Sequence, residues 1–401
     1  MNLTVRILHI HSTFNLGGKE ARAVRLMNAF GAHASHTIIS TVPGALDARA
    51  AIDRAITVEF PDNHPPVVGK PGIERYRALA RYMRGFDLVL TYNWGAMDAV
   101  GARRLFGGPP LVHHEDGFNE DEAKAQKPAR VWFRRLMLGA AHALVVPSHT
   151  LDRIAATSWR QPRDRVQRIA NGIELDRYRS SPVRGGGPRS GGGGLSLDEE
   201  QAASPLHHAV HGPPPRAGED LVVGTVAGLR AVKNLPRLVR AFAASGCSGR
   251  LRILGEGPER SAIEATASSI GLKERVGLPG FNPDPASALR DFDIFALSSD
   301  SEQQPISVIE AMASGLPVVS TDVGDVREMV SEDNLPFIVP LDREDLLADA
   351  LARLVANPDL RDSIGAANRA KALQFFDEKR MIAAYRSLYE ETIGQRGALG
   401  S

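Results

Sequence analysis

Short apolar runs alternate with amphipathic stretches along most of the chain, which argues for repeated strand–helix units and parallel sheets. Arg6–His11 reads as a first strand, on which His9 and His11 share one face because side chains alternate along a strand. Ala23, Met27 and Phe30 follow at i, i+4 and i+7, the spacing of one helical face. Further strand-like runs lie at Leu88–Leu90, Pro110–Val112 and Ala143–Val146. A second series opens at Leu221–Val226 and continues through Leu251–Leu254, Ile294–Leu297 and Pro317–Val319. From Arg343 onward Leu346, Leu347, Ala350, Leu351 and Leu354 mark helix. The pattern breaks between residues 181 and 219, which hold Arg184-Gly185-Gly186-Gly187-Pro188, a four-glycine run from Gly191 and Pro213-Pro214-Pro215. Such a segment buries too little apolar surface to offset its ordering entropy and reads as a disordered linker. The expected division is an N-terminal unit over 1–180, the linker over 181–219 and a second unit from 220.

The stretch Ser298–Val319 carries the sharpest chemistry. Pro305 suits a helix start through its fixed φ and missing N–H. Ile306, Ile309 and Ala313 bury one face, Gly315 stops the helix, and Leu316–Val319 forms the next strand. Glu302 then sits at the helix mouth, and Glu310 lies about 7.5 Å along the axis from Pro305 at about 1.5 Å per residue. An anion at that mouth meets unpaired N–H groups and the positive end of the helix dipole. Two carboxylates around an anion site suit a sugar nucleotide, with its diphosphate at the mouth and hydroxyls on either side. A lone pair of glutamates so spaced would more often be two solvated side chains on a surface helix. The whole frame, Glu302 to Pro305 to Glu310-Ala311-Met312-Ala313 to Gly315 and Pro317, resembles the Glu-x(7)-Glu signature of family 4 glycosyltransferases. That resemblance implies a retaining enzyme of the α/β GT-B fold, two Rossmann-like doubly wound domains facing across a cleft. It also implies an N-terminal acceptor domain, a nucleotide-sugar domain over 220–375 and final helices over 376–401 that cross back to the first domain.

Composition narrows the setting. The 401 residues suffice for two α/β domains, and 43% hydrophobic with 24% charged residues is ordinary for a soluble protein. The single cysteine, Cys247, excludes an intramolecular disulfide and fits a reducing compartment. No run of about 18 apolar residues predicts a spanning helix. The start Met1–Leu8 lacks a long apolar stretch with a cleavage site, so the chain reads as cytoplasmic. Residues 1–180 carry 25 Lys and Arg against 17 Asp and Glu, and the remainder carries 23 against 30. Arg75, Arg77, Arg81 and Arg84, with Trp132-Phe133-Arg134-Arg135-Leu136, make basic and aromatic stretches suited to the inner face of an anionic membrane. A solvated helix face is the plainer alternative, and no recognised module points to nucleic acid.

The remaining motifs follow from the resemblance. Gly228-Leu229-Arg230-Ala231-Val232-Lys233-Asn234 is similar to the family segment whose Arg and Lys grip the donor diphosphate. Lys233 matches it, whereas Gly228 holds the usual Arg place and Arg230 is offset by two. Gly255-Glu256-Gly257-Pro258 is a poor dinucleotide fingerprint, which makes an NAD oxidoreductase a distant reading, and it fits a packing turn better. Val276–Phe281, with Gly280, is similar to the strand and turn beside the nucleobase. Gly17 and Gly18 allow close backbone approach near the donor phosphate and sugar. In Leu111–Phe118, Asp116 holds the place of a family histidine, and His113, His114 or Asp116 could serve the sugar. Ser148 and Asn171-Gly172-Ile173-Glu174 match loops at the hinge side. Two metal readings are weaker. Asp291-Phe292-Asp293 fits a helix-to-strand turn, and His207, His208 and His211 lie in the unstructured tract. The implied activity is metal- and cofactor-free transfer from a UDP- or GDP-linked sugar to a glycan or lipid-linked acceptor, as in bacterial polysaccharide or glycolipid synthesis. Lys233, Arg230 and the mouth at Gln304, Pro305 and Ile306 would meet the diphosphate. Glu310 would hold the ribose and Glu302 the sugar. A GT-B epimerase, which needs no acceptor, and a catalytically silent GT-B partner subunit are the other classes the residues admit.

Overall fold

The computed structural model describes residues 4–400 apart from 16, 68, 70, 71, 119, 123, 124 and 179–220. The expected linker and His207, His208 and His211 lie outside the described residues. Two parallel sheets divide the rest. The first contains β1 (Val5–His11), β2 (Ala34–Ser40), β3 (Thr57–Glu59), β4 (Leu88–Tyr92), β5 (Leu111–His114), β6 (Ala143–Val146) and β7 (Val166–Arg168), in the order β3-β2-β1-β4-β5-β6-β7. The second contains β8 (Val222–Val226), β9 (Arg250–Leu254), β10 (Val276–Gly280), β11 (Ile294–Leu297), β12 (Val318–Thr321) and β13 (Ile338–Val339), in the order β10-β9-β8-β11-β12-β13. The central strands are continuous apolar runs because helices cover both faces of each sheet. β2 is a strand the apolar runs do not single out, since Ala34-Ser35-His36-Thr37 interposes polar residues that pairing with β1 buries.

The first sheet is covered by α1 (Gly18–Phe30), α2 (Ile73–Met83), α3 (Met97–Phe106), α4 (Pro128–Met137) and α5 (His149–Thr157). The second carries α6 (Leu235–Ala244), α7 (Arg260–Ser269), α8 (Pro285–Leu289), α9 (Ile306–Ala313), α10 (Val326–Met329), α11 (Glu344–Ala356) and α12 (Pro358–Phe375). The last helix, α13 (Glu378–Ile393), packs on the first sheet, where Met381, Tyr385, Leu388 and Tyr389 join the core of Phe30, Tyr92 and Val112. The chain turns between these helices by pairing with the end of the first unit. Phe376 accepts from the Ile173 amide at 2.9 Å, and Ile173 accepts from the Glu378 amide at 3.0 Å. Gly172 is required there, because a Cβ would lie 2.7 Å from Glu378 Cα.

Strand order reverses beside β1 and beside β8, and ligands of doubly wound sheets bind outside the carboxyl ends at such points. The two halves are therefore the Rossmann-like pair that the resemblance implies, and the loops after β1, β5, β8 and β11 leave the carboxyl ends of their strands.

Candidate functional site

On the second unit the site is built by stitching the loop after β8 to the loop after β11. Ser298 Oγ donates to the carbonyls of Lys233 and Asn234, each at 3.0 Å, and the Asp300 amide donates to Val232 O at 2.8 Å. Asn234 takes a left-handed backbone, φ 43°, and its side chain reaches Asp300 at 3.1 Å. This framework sets Lys233 Nζ 2.5 Å from Glu302 Oε1, and Ser299 Oγ donates to the same oxygen at 2.7 Å. Both charged side chains are largely shielded, at 14% and 11% exposure, so their attraction is little screened. The helix starts one residue later than the sequence suggests, with Pro305 as its N-cap and no side chain capping it. Arg230 is exposed, its guanidinium has no hydrogen-bond or ion-pair partner among the described residues, and it reaches back over Gly228, where a Cβ would lie 3.7 Å from its Nε. The offset of two positions thus brings a guanidinium beside the place where the family Arg is expected. Gly280 ends the edge strand with φ 97° and accepts from the Gly255 amide at 2.9 Å.

The first unit meets that mouth with backbone. Gly17 is the uncapped N-cap of α1, and a Cβ on Gly18 would lie 3.1 Å from Ile306 Cδ1. Two helix N-termini therefore converge, one from each unit. Gly117 approaches Gln303 as closely, at 3.3 Å from a built Cβ to Cγ. Asp116 is clamped by Arg22 at 2.5 and 2.8 Å, its amide donates to Asn93 Oδ1 at 2.7 Å, and Arg22 also donates to Asn171 Oδ1 at 3.1 Å. Burial works to raise the Asp116 pKa, but the Arg22 guanidinium outweighs it and holds the carboxyl below its ordinary range. His113 and His114 separate by strand alternation. His113 is fully buried with Nδ1 2.9 Å from Thr91 Oγ1, and it lies 3.6 Å from Glu115. His114 faces α13, with Nε2 2.8 Å from Tyr389 OH, and burial pushes its pKa down to about 3. Neither imidazole reaches the mouth of α9, whereas Asp116 is partly accessible at 13%. Arg22, Asn93 and Tyr178 escape sequence reading. The trace of Arg22 is a cation on the buried face of α1, one turn before Leu26.

The units are joined around the mouth. Asn171 donates through its amide to Gln304 Oε1 at 2.5 Å and through Nδ2 to Gln304 O at 3.1 Å. Ser148 Oγ donates to Gln303 Oε1 at 3.3 Å. The Asp325 carboxylate accepts from the His149 and Thr150 amides at 2.5 and 3.0 Å, so it caps α5 from across the gap. Gly324, at φ 56°, lets this happen, because a Cβ would lie 2.4 Å from Gln303 O and 2.6 Å from Glu302 O. Gly324→Ala should therefore displace the Glu302–Gln304 backbone and lower turnover by up to roughly a hundredfold, the scale of a 1 Å misplacement. Steady-state rates against wild type check this, and unchanged turnover would show that the loop's position does not matter.

Glu310 does not sit in solvent. It is 8% exposed, and Tyr178 OH donates to its Oε1 at 2.7 Å. Burial pushes its pKa up, with the Tyr178 hydrogen bond and the positive Arg25 and Arg177 opposing. Tyr178→Phe should leave a buried carboxylate oxygen without its donor and cost about 1–3 kcal/mol. A lower urea midpoint with unchanged slope is the expected reading. Asp291 and Asp293 are used locally: Asp291 pairs with Arg252 at 3.3 Å and Asp293 accepts from the Val222 amide at 2.8 Å. Among the described residues no group of three or more His, Cys, Asp or Glu is arranged to hold a metal.

Comparison with known proteins gives the family and the fold. The sequence family described as Glycosyltransferase Family 4 matches residues 16–177, and that described as Glycosyl transferases group 1 matches residues 210–371. A GDP-mannose-dependent alpha-mannosyltransferase of Mycobacterium tuberculosis is 28% identical over 73% of this chain and 71% of its own. The N-acetyl-alpha-D-glucosaminyl L-malate synthase of Bacillus anthracis is 24% identical over 42% of this chain and 45% of its own. The chain thus spans about half the length of several of the curated relatives it matches. Among solved structures, Anabaena HepE in complex with UDP superposes with a TM-score of 0.71 at 17% identity, covering 96% of this chain and all of that one. Sucrose-phosphate synthase from Thermosynechococcus elongatus gives 0.72 at 18%, covering 97% and 99%. At these identities the likeness establishes the fold, which is GT-B.

Proposed function

We propose that this chain, a member of the group 1/family 4 glycosyltransferases by the two domains it carries, moves a sugar from a nucleoside-diphosphate sugar to a glycan or lipid-linked acceptor with retention of anomeric configuration. The observation that carries the reading is the shielded Lys233–Glu302 pair at the uncapped mouth of α9, facing Gly18 of the first unit. The ammonium and the helix N-terminus meet the charge that develops on the departing diphosphate, and the free Arg230 guanidinium adds to it. That provision makes the reaction metal-independent, so a chelator should leave the rate unchanged. UDP and GDP are both candidates for the leaving group. UDP accompanies the solved neighbour HepE, and GDP-mannose is named for the mycobacterial relative.

Glu302, held by Lys233 and Ser299, keeps one carboxylate oxygen for sugar hydroxyls. Glu310 would share its oxygens between Tyr178 and the ribose, and Gly280 leaves room for the base. Asp116, rather than a histidine, is the first unit's acceptor of sugar hydroxyl hydrogen bonds. In the transfer the bond from the anomeric carbon to the diphosphate oxygen breaks and the acceptor oxygen bonds to that carbon from the same face. The acceptor proton passes to the departing phosphate oxygen. Calorimetry with UDP and GDP, followed by mass spectrometry of products from a panel of sugar nucleotides, tests the assignment. Absence of binding to either nucleotide would sink it.

A further inference from the structure

A cavity of about 440 Å³ lies where the two units and the last helix meet. Its wall is drawn from the start of α5 at His149, the turn after β7 at Arg168, the α10 residues Glu328 and Met329, and the α12–α13 turn around Phe375. The size falls among pockets that take small molecules, about 300–1,000 Å³. Lys233, Glu302, Gly18 and Asp116 do not line it, so it is distinct from the site in the cleft. Gln304, which precedes the N-cap of α9, does line it. That side chain is 7% exposed, and its Oε1 is taken by the Asn171 amide. Its Nε2 has no hydrogen-bond partner among the described residues, so a nine-tenths buried donor is left for whatever fills the cavity.

The charges around the cavity balance. Arg168, Lys371 and Arg380 face Asp325, Glu328 and Asp377, and among the described residues none of the six is in an ion pair. Four are held by backbone instead. Lys371 Nζ donates to Glu328 O and Val330 O at 2.7 and 2.6 Å, and Arg380 donates to Gln374 O. Asp325 caps α5 as described above, and Asp377 Oδ1 accepts from the Lys379 amide at 2.9 Å. The Arg168 guanidinium and the Glu328 carboxylate are exposed and make no hydrogen bond among the described residues. The apolar share of the wall comes chiefly from Phe375, which is 52% exposed. An anion or a cation would meet as many like charges here as opposite ones. A small zwitterion satisfies one charge of each sign and leaves the others facing it. An apolar molecule would strip water from six charged groups, which costs more than one phenyl ring returns. A neutral polyol suits the whole wall, because each hydroxyl both donates and accepts and the C–H face of a sugar ring is apolar.

We infer that the cavity between α5, α10 and the α12–α13 turn is a second, non-catalytic site for a short neutral saccharide, with a ring against Phe375 and hydroxyls shared among Gln304 Nε2, Arg168 and Glu328. Both units and the crossing helix supply its wall, so an occupied site favours the placement of the units that completes it. The inference does not depend on the transferase reading, because saccharide binding is measured without turnover.

The test is saturation-transfer NMR of the full chain with maltose, cellobiose, lactose and mannobiose, and with benzoate as an organic anion for contrast. Transfer to the ring C–H protons of at least one disaccharide is expected, and it should persist when UDP is present in excess. Phe375→Ala and Arg168→Ala should each weaken that disaccharide by about tenfold, the scale of one lost contact or hydrogen bond. Both side chains are exposed, so the urea midpoint should be unchanged, which separates loss of the site from misfolding. No transfer to any of the four disaccharides, transfer abolished by UDP, or transfer unaffected in both variants would overturn the inference. So would stronger transfer to benzoate that Phe375→Ala removes. If neither nucleotide binds the wild-type chain, the transferase reading fails, while the disaccharide signal and its loss in the two variants still decide this one.

Discussion

Lys233→Ala should lower kcat/KM for the donor by about 10²–10³-fold, the loss seen when one preorganised charge-stabilising donor is removed from an active site. Two effects add. The ammonium that in the proposed reaction offsets the leaving diphosphate is gone, and the Glu302 carboxylate, which it neutralises at 2.5 Å, is left as a bare negative charge at the mouth proposed to receive that anion. The second effect separates this prediction from simple loss of a contact. If Glu302 repels the diphosphate once Lys233 is absent, Lys233→Ala combined with Glu302→Gln should be less impaired than the product of the single variants. Groups that act as a unit are non-additive in this sense. Nucleotide affinity by calorimetry should fall in Lys233→Ala and recover in part in the double variant. Ser299 still donates to Glu302 at 2.7 Å, so the loop has another anchor and the fold should persist. Wild-type kcat/KM in both single variants would remove these residues from the reaction.

The two-unit architecture and the α9 frame are legible in the sequence because their signals are local. Glu302, Pro305, the stripe through Ile309 and Ala313, and Gly315 lie in one short stretch, and each turn or helix preference acts within it. What escapes is set by residues far apart. Arg22 and Asp116 are 94 positions apart, and Tyr178 and Glu310 are 132 apart, so neither pairing leaves a local mark. Residue type cannot separate His113 from His114. Strand alternation gives one to Thr91 and Glu115 and the other to Tyr389. The two-position offset of Arg230 reads as a departure in sequence. In three dimensions the backbone turn before Lys233 carries its guanidinium back over Gly228. The buried setting of Glu310 follows from the close fit of the first unit's last turn, Leu175–Tyr178, against α9.

Asp116→Ala should destabilise the protein by about 3–5 kcal/mol, the cost of breaking a buried pair by removing one partner. Arg22 is 3% exposed and spends two of its nitrogens on this carboxylate, so the alanine variant strands a guanidinium against Asn171 and the ring of Tyr385, 5.4 Å away. Replacing both residues, Arg22→Met with Asp116→Ala, removes the stranded charge and should recover part of the loss. A cost below about 1 kcal/mol for Asp116→Ala would place the pair among weak surface bridges and overturn the prediction. The pH dependence gives a second, signed check. The folded carboxyl has a pKa below its ordinary value, so the unfolded chain binds its proton first as pH falls. Its contribution is therefore complete above the unfolded pKa, about 4, and is lost as pH drops from there through the folded pKa. Denaturant midpoints of wild type should decline across that acid window, and those of Asp116→Asn should lack this part of the decline. Because Asp116 precedes Gly117, which abuts Gln303 beside Glu302, loosening this clamp should also lower turnover. The same guanidinium thus ties the first unit's fold to the geometry of the cleft.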